Sequence, residues 1–289
     1  MPLDVCFLNG EFQALKDARV SPLDRAFLFA DAVYEVLPVY AGRPFRLRQH
    51  LDRLTRSLAE IGMGPAMTHE QWAGICAELI KRNGGGEMYL YIQVTRGAEY
   101  GRNHAWPADL RPTLFAYASA LPALSAEITN DGVAAITAED IRWARRDIKS
   151  TSLLANVLLK KKAVAAGAFE TILLEDGYLT EGSSTTVHVV VGGAIRTPPN
   201  GHCILPGTTR AVVEELADRL GLPAMVGAVA ESQLRAADEV WLAFSTRGLL
   251  PVTQLDGRPV GDGRPGPWCK RLQDEFQHYI GELATRPAL

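Results

Sequence analysis

Strand and helix patterns alternate along this chain, and that alternation limits the folds open to it. The run from Ala32 to Tyr40 reads as a strand in which Tyr34, Val36 and Pro38 share one face while Val33, Glu35, Leu37 and Val39 share the other. A helix follows over Arg48 to Ala59, where Leu47, Leu51, Leu54, Leu58 and Ile61 keep the helical period. A second helix is expected from about His69 to Arg82, stopped by Asn83-Gly84-Gly85-Gly86. Met88–Thr95 and Leu114–Ala118 read as strands. Near the start, Val5–Leu8, Asn9-Gly10 and Glu11-Phe12 have the pattern of a hairpin closed by a type I′ turn.

The alternation continues after Ser119–Ser125, a stretch with Pro122 that reads as a linker. Val133–Ile136, Glu170–Leu174, Tyr178–Thr186, Val187–Val191 and Glu239–Phe244 are expected strands, and Asp176-Gly177 a tight turn. Helices are expected over Ser152–Ala166, Ala211–Ala217 and Trp268–Leu283, the last after an irregular loop from Gly261 to Pro267. The expected fold class is therefore α/β (α+β), with an N-terminal domain over 1–118, a linker over 119–125 and a C-terminal domain over 126–289 that carries Lys149.

Totals exclude several function classes. The 289 residues suffice for one large or two smaller domains, and a net charge of −3 gives no reason to expect a nucleic acid or an anionic membrane as partner. No apolar run reaches the roughly 18 residues of a membrane span. Met1–Val5 lacks the basic and apolar regions of a secretory leader. Cys6, Cys76, Cys203 and Cys269 are scattered singly, without a CxxC pair, so a reduced cytoplasmic setting is expected.

Certain residues stand out chemically. In the stretch Arg142–Thr151, Lys149 sits among small polar residues at a turn. A lysine held away from water has its ammonium form disfavoured and becomes a usable nucleophile; otherwise it is a surface lysine. Glu181 falls where a strand meets a Gly-Ser-Ser turn, and a carboxylate there can hold a proton on a heteroaromatic nitrogen. Gly207-Thr208-Thr209 at a helix start is either an anion site or a simple threonine cap. Ser245 and Thr246 form a second polar turn. Arg53 borders an apolar stripe, as a solvated residue or as a bidentate grip on an anion. Arg102 and His104 lie two positions apart in a glycine-bearing loop after a strand, either solvated or gripping a carboxylate.

Seven ordered segments bring these residues together: DRAFLFADAVYEV (24–36), HLDRL (50–54), TRGAEYGRNHAWP (95–107), DIKS (147–150), LTEGSSTTV (179–187), ILPGTTR (204–210), and STRGLLPV with LDGRPVGDGRPG (245–266). Over nearly its whole length the chain resembles the fold-type IV pyridoxal-phosphate enzymes, and within them the D-amino-acid aminotransferases. The resemblance implies two α/β domains with pyridoxal 5'-phosphate (PLP) in the cleft between them. It implies Lys149 as the Schiff-base lysine and proton shuttle, Glu181 on the pyridine nitrogen, and Arg53, Thr208, Thr209, Ser245 and Thr246 around the phosphate. Ser183 and Leu205 are further cofactor contacts by the same likeness. Tyr34, Arg102 and His104 match the residues that bind the substrate α-carboxylate in D-specific members.

The resemblance further implies ping-pong transfer between D-amino acids of the D-alanine and D-glutamate type and 2-oxo acids, by a homodimer. Branched-chain L-amino-acid aminotransferases and aminodeoxychorismate lyases share the fold; the Arg102/His104 pair favours the D-specific reading. A non-catalytic phosphate- or PLP-binding protein would need the phosphate turn but not Lys149 with Glu181. Two positions depart from the pattern: Thr186 stands where relatives often have Asn, and Gly248 where an acidic residue often follows the phosphate turn.

Overall fold

The computed structural model describes residues 1–121 and 125–285. It divides into two compact units, the first built from Met1–Leu121 and Ile148–Ser152, the second from Pro122–Asp147 and Leu153–Leu283. The Lys149 segment, expected with the second domain, thus belongs to the first unit. Its reason is a pairing with β3 described below, which no local pattern reveals. Ser119 and Ala120, expected in the linker, complete a strand instead, and residues 122–124 of that linker lie outside the described residues.

In the first unit the strands are β1 (Pro2–Leu8), β2 (Glu11–Ala14), β3 (Ala32–Tyr40), β4 (Arg43–Pro44), β5 (Met88–Thr95) and β6 (Thr113–Ala120). Among the described residues they form one antiparallel sheet in the order β2-β1-β6-β5-β3-β4. Asn9 and Gly10 both take positive φ (50° and 102°), the conformation a two-residue hairpin needs to follow the twist of β1 and β2. A short helix α1 (Arg25–Phe29) precedes β3. Helices α2 (Leu47–Glu60) and α3 (His69–Arg82) lay Leu51, Leu54, Leu58, Trp72 and Leu79 into one core with Val33, Leu37, Leu90 and Ile92. A reciprocal cap, in which Thr68 accepts from the Gln71 amide and the Gln71 side chain accepts from the Thr68 amide, starts α3.

The second unit opens with α4 (Ala126–Asp131) and β7 (Val133–Glu139), then α5 (Leu154–Ala165), β8 (Glu170–Glu175), β9 (Tyr178–Gly182), β10 (Thr186–Val191) and β11 (Ala194–Thr197). It continues with α6 (Thr208–Arg219), β12 (Ala224–Val226), α7 (Glu231–Arg235), β13 (Glu239–Phe244), β14 (Gly248–Leu255), β15 (Arg258–Pro259) and α8 (Pro267–Thr285). Its mixed sheet runs β12-β11-β10-β13-β14-β7-β8-β9, with β15 beside β14. β7 is parallel to both β14 and β8, so the sheet needs crossover connections, and α5 supplies one between β7 and β8. Val187, Val189, Val240, Leu242, Leu250 and Val252 fill its core. No helix among the described residues is long and apolar enough to cross a membrane.

Candidate active site

Lys149 is fixed by its main chain before its side chain does anything. Tyr34 N donates to Lys149 O at 2.9 Å, Thr151 N donates to Ala32 O at 3.0 Å, and Val33 bridges Ser150. The segment therefore lines the opening edge of β3, while β4 covers the far end of the same edge at Val39 and Tyr40. Lys149 N donates to Ser57 Oγ of α2 at 3.3 Å, and Ile148 is buried in the core. The half-buried Lys149 places Nζ 4.3 Å from the centre of the Tyr34 ring, and that ring stacks on Tyr91 at 5.6 Å.

Behind Tyr34, on the opposite face of β3, Glu35 is fully buried. Arg53 Nε donates to its Oε1 and Arg53 Nη2 to its Oε2, each at 2.7 Å, and His50 Nδ1 meets Oε2 at 2.7 Å. A carboxylate only accepts, so Nδ1 is the protonated nitrogen of His50. Burial works to raise the Glu35 carboxyl, but the Arg53 charge and hydrogen bonds, with His50, bring it down to about 2. Burial lowers His50, which is therefore neutral at pH 7. Arg53 is thus neither a solvated residue nor loosely placed: its guanidinium is oriented by Glu35.

Arg102 and His104 are exposed in the loop after β5. Arg102 Cζ lies 4.9 Å from the Phe29 ring centre, and the His104 ring lies 5.2 Å from it.

In the second unit, Glu181 is the next-to-last residue of β9, with 5% of its surface exposed. Arg142 Nη1 donates to Oε1 through a short contact, and Leu205 N donates to Oε1 at 3.4 Å. Among the described residues Oε2 accepts no hydrogen bond. Burial raises the Glu181 carboxyl further than Arg142 lowers it. Arg142 is itself divided: its amide and Nε go to Asp140 Oδ1 at 3.1 and 2.9 Å, and Nη2 to Oδ2 at 2.6 Å. Thr180 Oγ1 also donates to Asp140, at 2.8 Å.

The turn after Glu181 is braced from below. The buried Glu170 accepts from Ser183 Oγ, Ser184 Oγ and Thr171 N. Ser183 also donates its amide to Thr171 O and accepts from Asn156 Nδ2 at its carbonyl, so its polar groups are taken up within the turn.

Helix α6 begins at Thr208, three residues earlier than its apolar period suggests, and Gly207 caps it without a side-chain acceptor. The simple threonine cap is therefore not what forms. Thr208 Oγ1 and Ser245 Oγ lie 3.4 Å apart, Thr209 is buried, and Thr246 is half-buried beside Ser245. A Cβ on Gly207 would come within 2.7 Å of Thr186 Oγ1, so the Thr186 hydroxyl packs against the turn and leaves no room for a side chain at 207. Gly248 has φ +69°, and a Cβ there would strike the Phe276 ring at 2.9 Å. In this chain the ring occupies the space an acidic side chain would need.

Glu35, His50, Asp140, Arg142 and Glu170 carry no role in the sequence reading. Two signals point to the first pair: alternation puts Glu35 on the core face of β3, and His50 and Arg53 fall three apart beside the leucine stripe. A carboxylate on a core face requires a cation, and α2 provides one.

The class IV amino-transferase family model matches residues 32–255. The D-alanine aminotransferase of Bacillus licheniformis is 41% identical over 272 residues, spanning 94% of this chain and 95% of that protein. The D-alanine aminotransferase of Staphylococcus aureus (strain MSSA476) is 38% identical over 279 residues, spanning 96% and 98%. Among solved structures, the branched-chain amino acid aminotransferase of Escherichia coli superposes with a TM-score of 0.90 at 27% identity, covering 96% of this chain and 95% of that one. The fold IV-transaminase of Curtobacterium pusillum gives 0.80 at 27% identity, covering 96% and 94%.

Proposed function

The chain belongs to the class IV aminotransferases, and from that premise we propose that it moves amino groups between D-amino acids of the D-alanine and D-glutamate type and 2-oxo acids such as pyruvate and 2-oxoglutarate. The observation that carries the reading is the adjacency of Lys149 and Tyr34: the amine that handles the α-proton and a group suited to the carboxylate share one edge of β3.

The residues suit pyridoxal 5'-phosphate as cofactor. Helix α6 opens without a side-chain cap, beside the Thr208 and Ser245 hydroxyls, which is a donor set for a phosphate. Glu181 has Oε1 engaged and, among the described residues, Oε2 accepting nothing, which suits an N–H donor such as a protonated pyridine nitrogen. We assign Thr208, Thr209, Ser245, Thr246 and Arg53, whose guanidinium Glu35 orients, to the phosphate, and Leu205 and Ser183 to further cofactor contacts. When bound, the cofactor supplies an electron sink and a carrier for the amino group.

With the cofactor bound, Lys149 Nζ would take the proton from the substrate Cα and hand it back as a general acid. Its main-chain bonds to Tyr34 and Ser57 fix the origin of that swing. Glu181 holds the proton on the ring nitrogen. Tyr34, Arg102 and His104 hold the substrate carboxylate on the side that turns the α-hydrogen of a D-amino acid toward Lys149. One substrate leaves as its 2-oxo acid before the second enters, so the kinetics are ping-pong. The working unit is a homodimer in the cytoplasm, and light scattering on the purified protein tests the former.

The branched-chain L-amino-acid reading draws on likeness of fold, and one experiment separates the two. The absorbance of the lysine-bound cofactor is followed after adding D-alanine or, separately, L-leucine. Conversion to the pyridoxamine form by D-alanine alone is expected; conversion by L-leucine instead overturns the D-specific reading. Lys149→Ala should abolish that absorbance and lower turnover by about 100-fold or more. Retained transamination in that variant would remove Lys149 from the mechanism.

A further inference from the structure

We propose that Arg25 is a positioning residue for substrate specificity: by gripping the main chain of Asn103 and His104, it fixes where Arg102 and His104 stand. This rests on the carboxylate role proposed above for those two side chains.

Gly101–Asp109 are all exposed, and such a loop has no sheet or core to hold its shape. Arg25, by contrast, is 3% exposed. Its Nη1 donates to Asn103 O at 2.6 Å and its Nη2 to His104 O at 3.1 Å. The same guanidinium reaches the base of the loop through Nη1 to Glu99 Oε1 at 2.5 Å, and the connection between α1 and β3 through Nε to Asp31 Oδ2 at 2.9 Å.

A residue needed merely to hold α1 in place would be satisfied by Asp31 and Glu99. The further bonds go to the carbonyls of consecutive residues, Asn103 between Arg102 and His104 and His104 itself. One rigid fork can hold both carbonyls at once, which the point charge of a lysine does not. The two carboxylates balance the Arg25 charge, so the grip adds little positive field beside Arg102.

The frame behind this grip is also fixed. Arg96 Nε donates to the same Asp31 Oδ2 at 2.8 Å, and Arg96 Nη2 donates to Ile61 O at 2.6 Å. Trp106 covers Arg96, whose Cζ is 3.9 Å from the ring centre. Arg25 N donates to Gly97 O at 2.9 Å. Phe29 then serves both ends, with Arg25 Cζ 4.7 Å and Arg102 Cζ 4.9 Å from its ring centre. Arg102 therefore rests on a platform whose orientation is set by the residue that grips its neighbours.

The test uses the cofactor-loaded enzyme, its Arg25→Lys variant, and the milder Glu99→Gln, which removes one carboxylate from the Arg25 grip and leaves every carboxylate-binding group intact. Hydrogen exchange is read at the amides of Asn103–Ala105, and kcat and KM are measured for D-alanine. Arg25→Lys should speed exchange at those amides and raise KM, each about tenfold, while kcat changes less than about threefold. Glu99→Gln should move both in the same direction by less. Exchange unchanged in both variants overturns the grip. Faster exchange with an unchanged KM overturns its role in specificity. Arg102→Ala, measured alongside, separates this inference from the reading beneath it. If Arg102→Ala raises KM and Arg25→Lys does not, the positioning role of Arg25 fails by itself. If Arg102→Ala leaves KM unchanged, the carboxylate reading fails and the specificity role of Arg25 fails with it.

Discussion

Glu35 and Glu181 are both buried glutamates that face an arginine, yet their carboxyls shift in opposite directions. Burial works to raise both. At Glu35 it is outweighed by Arg53 and His50, and the carboxyl falls to about 2. At Glu181 burial prevails and the carboxyl is raised. The difference lies in how the cation is shared. Arg53 gives Nε and Nη2 to Glu35, whereas Arg142 gives its amide, Nε and Nη2 to Asp140 and reaches Glu181 through Nη1. Burial is the largest influence at both carboxylates, and the number of donors committed to each decides whether it is overcome. Glu35, with both oxygens engaged, is a latch between β3 and α2. Glu181, whose Oε2 accepts no hydrogen bond among the described residues, has an oxygen left over for the cofactor role proposed for it.

Removing the latch should have the largest effect. Glu35→Ala leaves the Arg53 guanidinium without its buried counter-charge, and about 4 kcal/mol of stability should be lost in a urea titration. A loss below about 1 kcal/mol would mean that Glu35 is no latch. The same contrast predicts an acid sensitivity of the first unit. A depressed carboxyl contributes stability that is present above its ordinary value of 4.5 and is lost as pH falls toward about 2. Roughly 3 kcal/mol should disappear across that window, and Glu35→Gln should flatten the dependence. An unaltered pH profile in Glu35→Gln would assign the acid loss to other carboxylates.

Glu181→Gln should behave the other way round. Asp140 still pairs with Arg142, so denaturation should change by about 1 kcal/mol or less. Turnover should fall about 100-fold, because a neutral amide no longer favours a proton on the ring nitrogen. A large loss of stability with near-normal turnover would reverse the assignment of latch and site.

The contrast between the two glutamates was hidden in the sequence, whereas much of the fold around them was legible. The bounds of β3, β5 and α3 follow from period and stop signals, and those of β13 from an apolar run that is buried on both faces. β14 is obscured by Pro251, a residue that argues against a central strand, although here it pairs with Trp241 on β13 and the ladder to β7 shifts register just beyond it. Lys149 stood out in the sequence as a candidate, but its membership of the first unit depends on bonds to Ala32 and Tyr34 more than a hundred positions away. Arg25 was hidden for another reason: two of its acceptors are main-chain carbonyls, which every residue type possesses. Glu181 stands out by its turn, while the division of Arg142 between two carboxylates appears only in three dimensions.

That division makes the smallest and sharpest prediction. The negative charge of Asp140 helps to raise the Glu181 carboxyl and also draws Arg142 away from it. Asp140→Asn removes the charge and keeps one acceptor for the guanidinium. The Glu181 carboxyl should then fall. A raised carboxyl protonates early as pH drops, so lowering it extends the ionised form to more acid conditions. The acid limb of kcat against pH should therefore move to lower pH in Asp140→Asn, with turnover at neutral pH altered only severalfold, about 1 kcal/mol. A merely structural Asp140 would lower stability and leave the limb where it is. A limb displaced to higher pH would mean that Asp140 supports Glu181 by holding Arg142 in place, and that the sharing of one cation does not explain why the two glutamates differ.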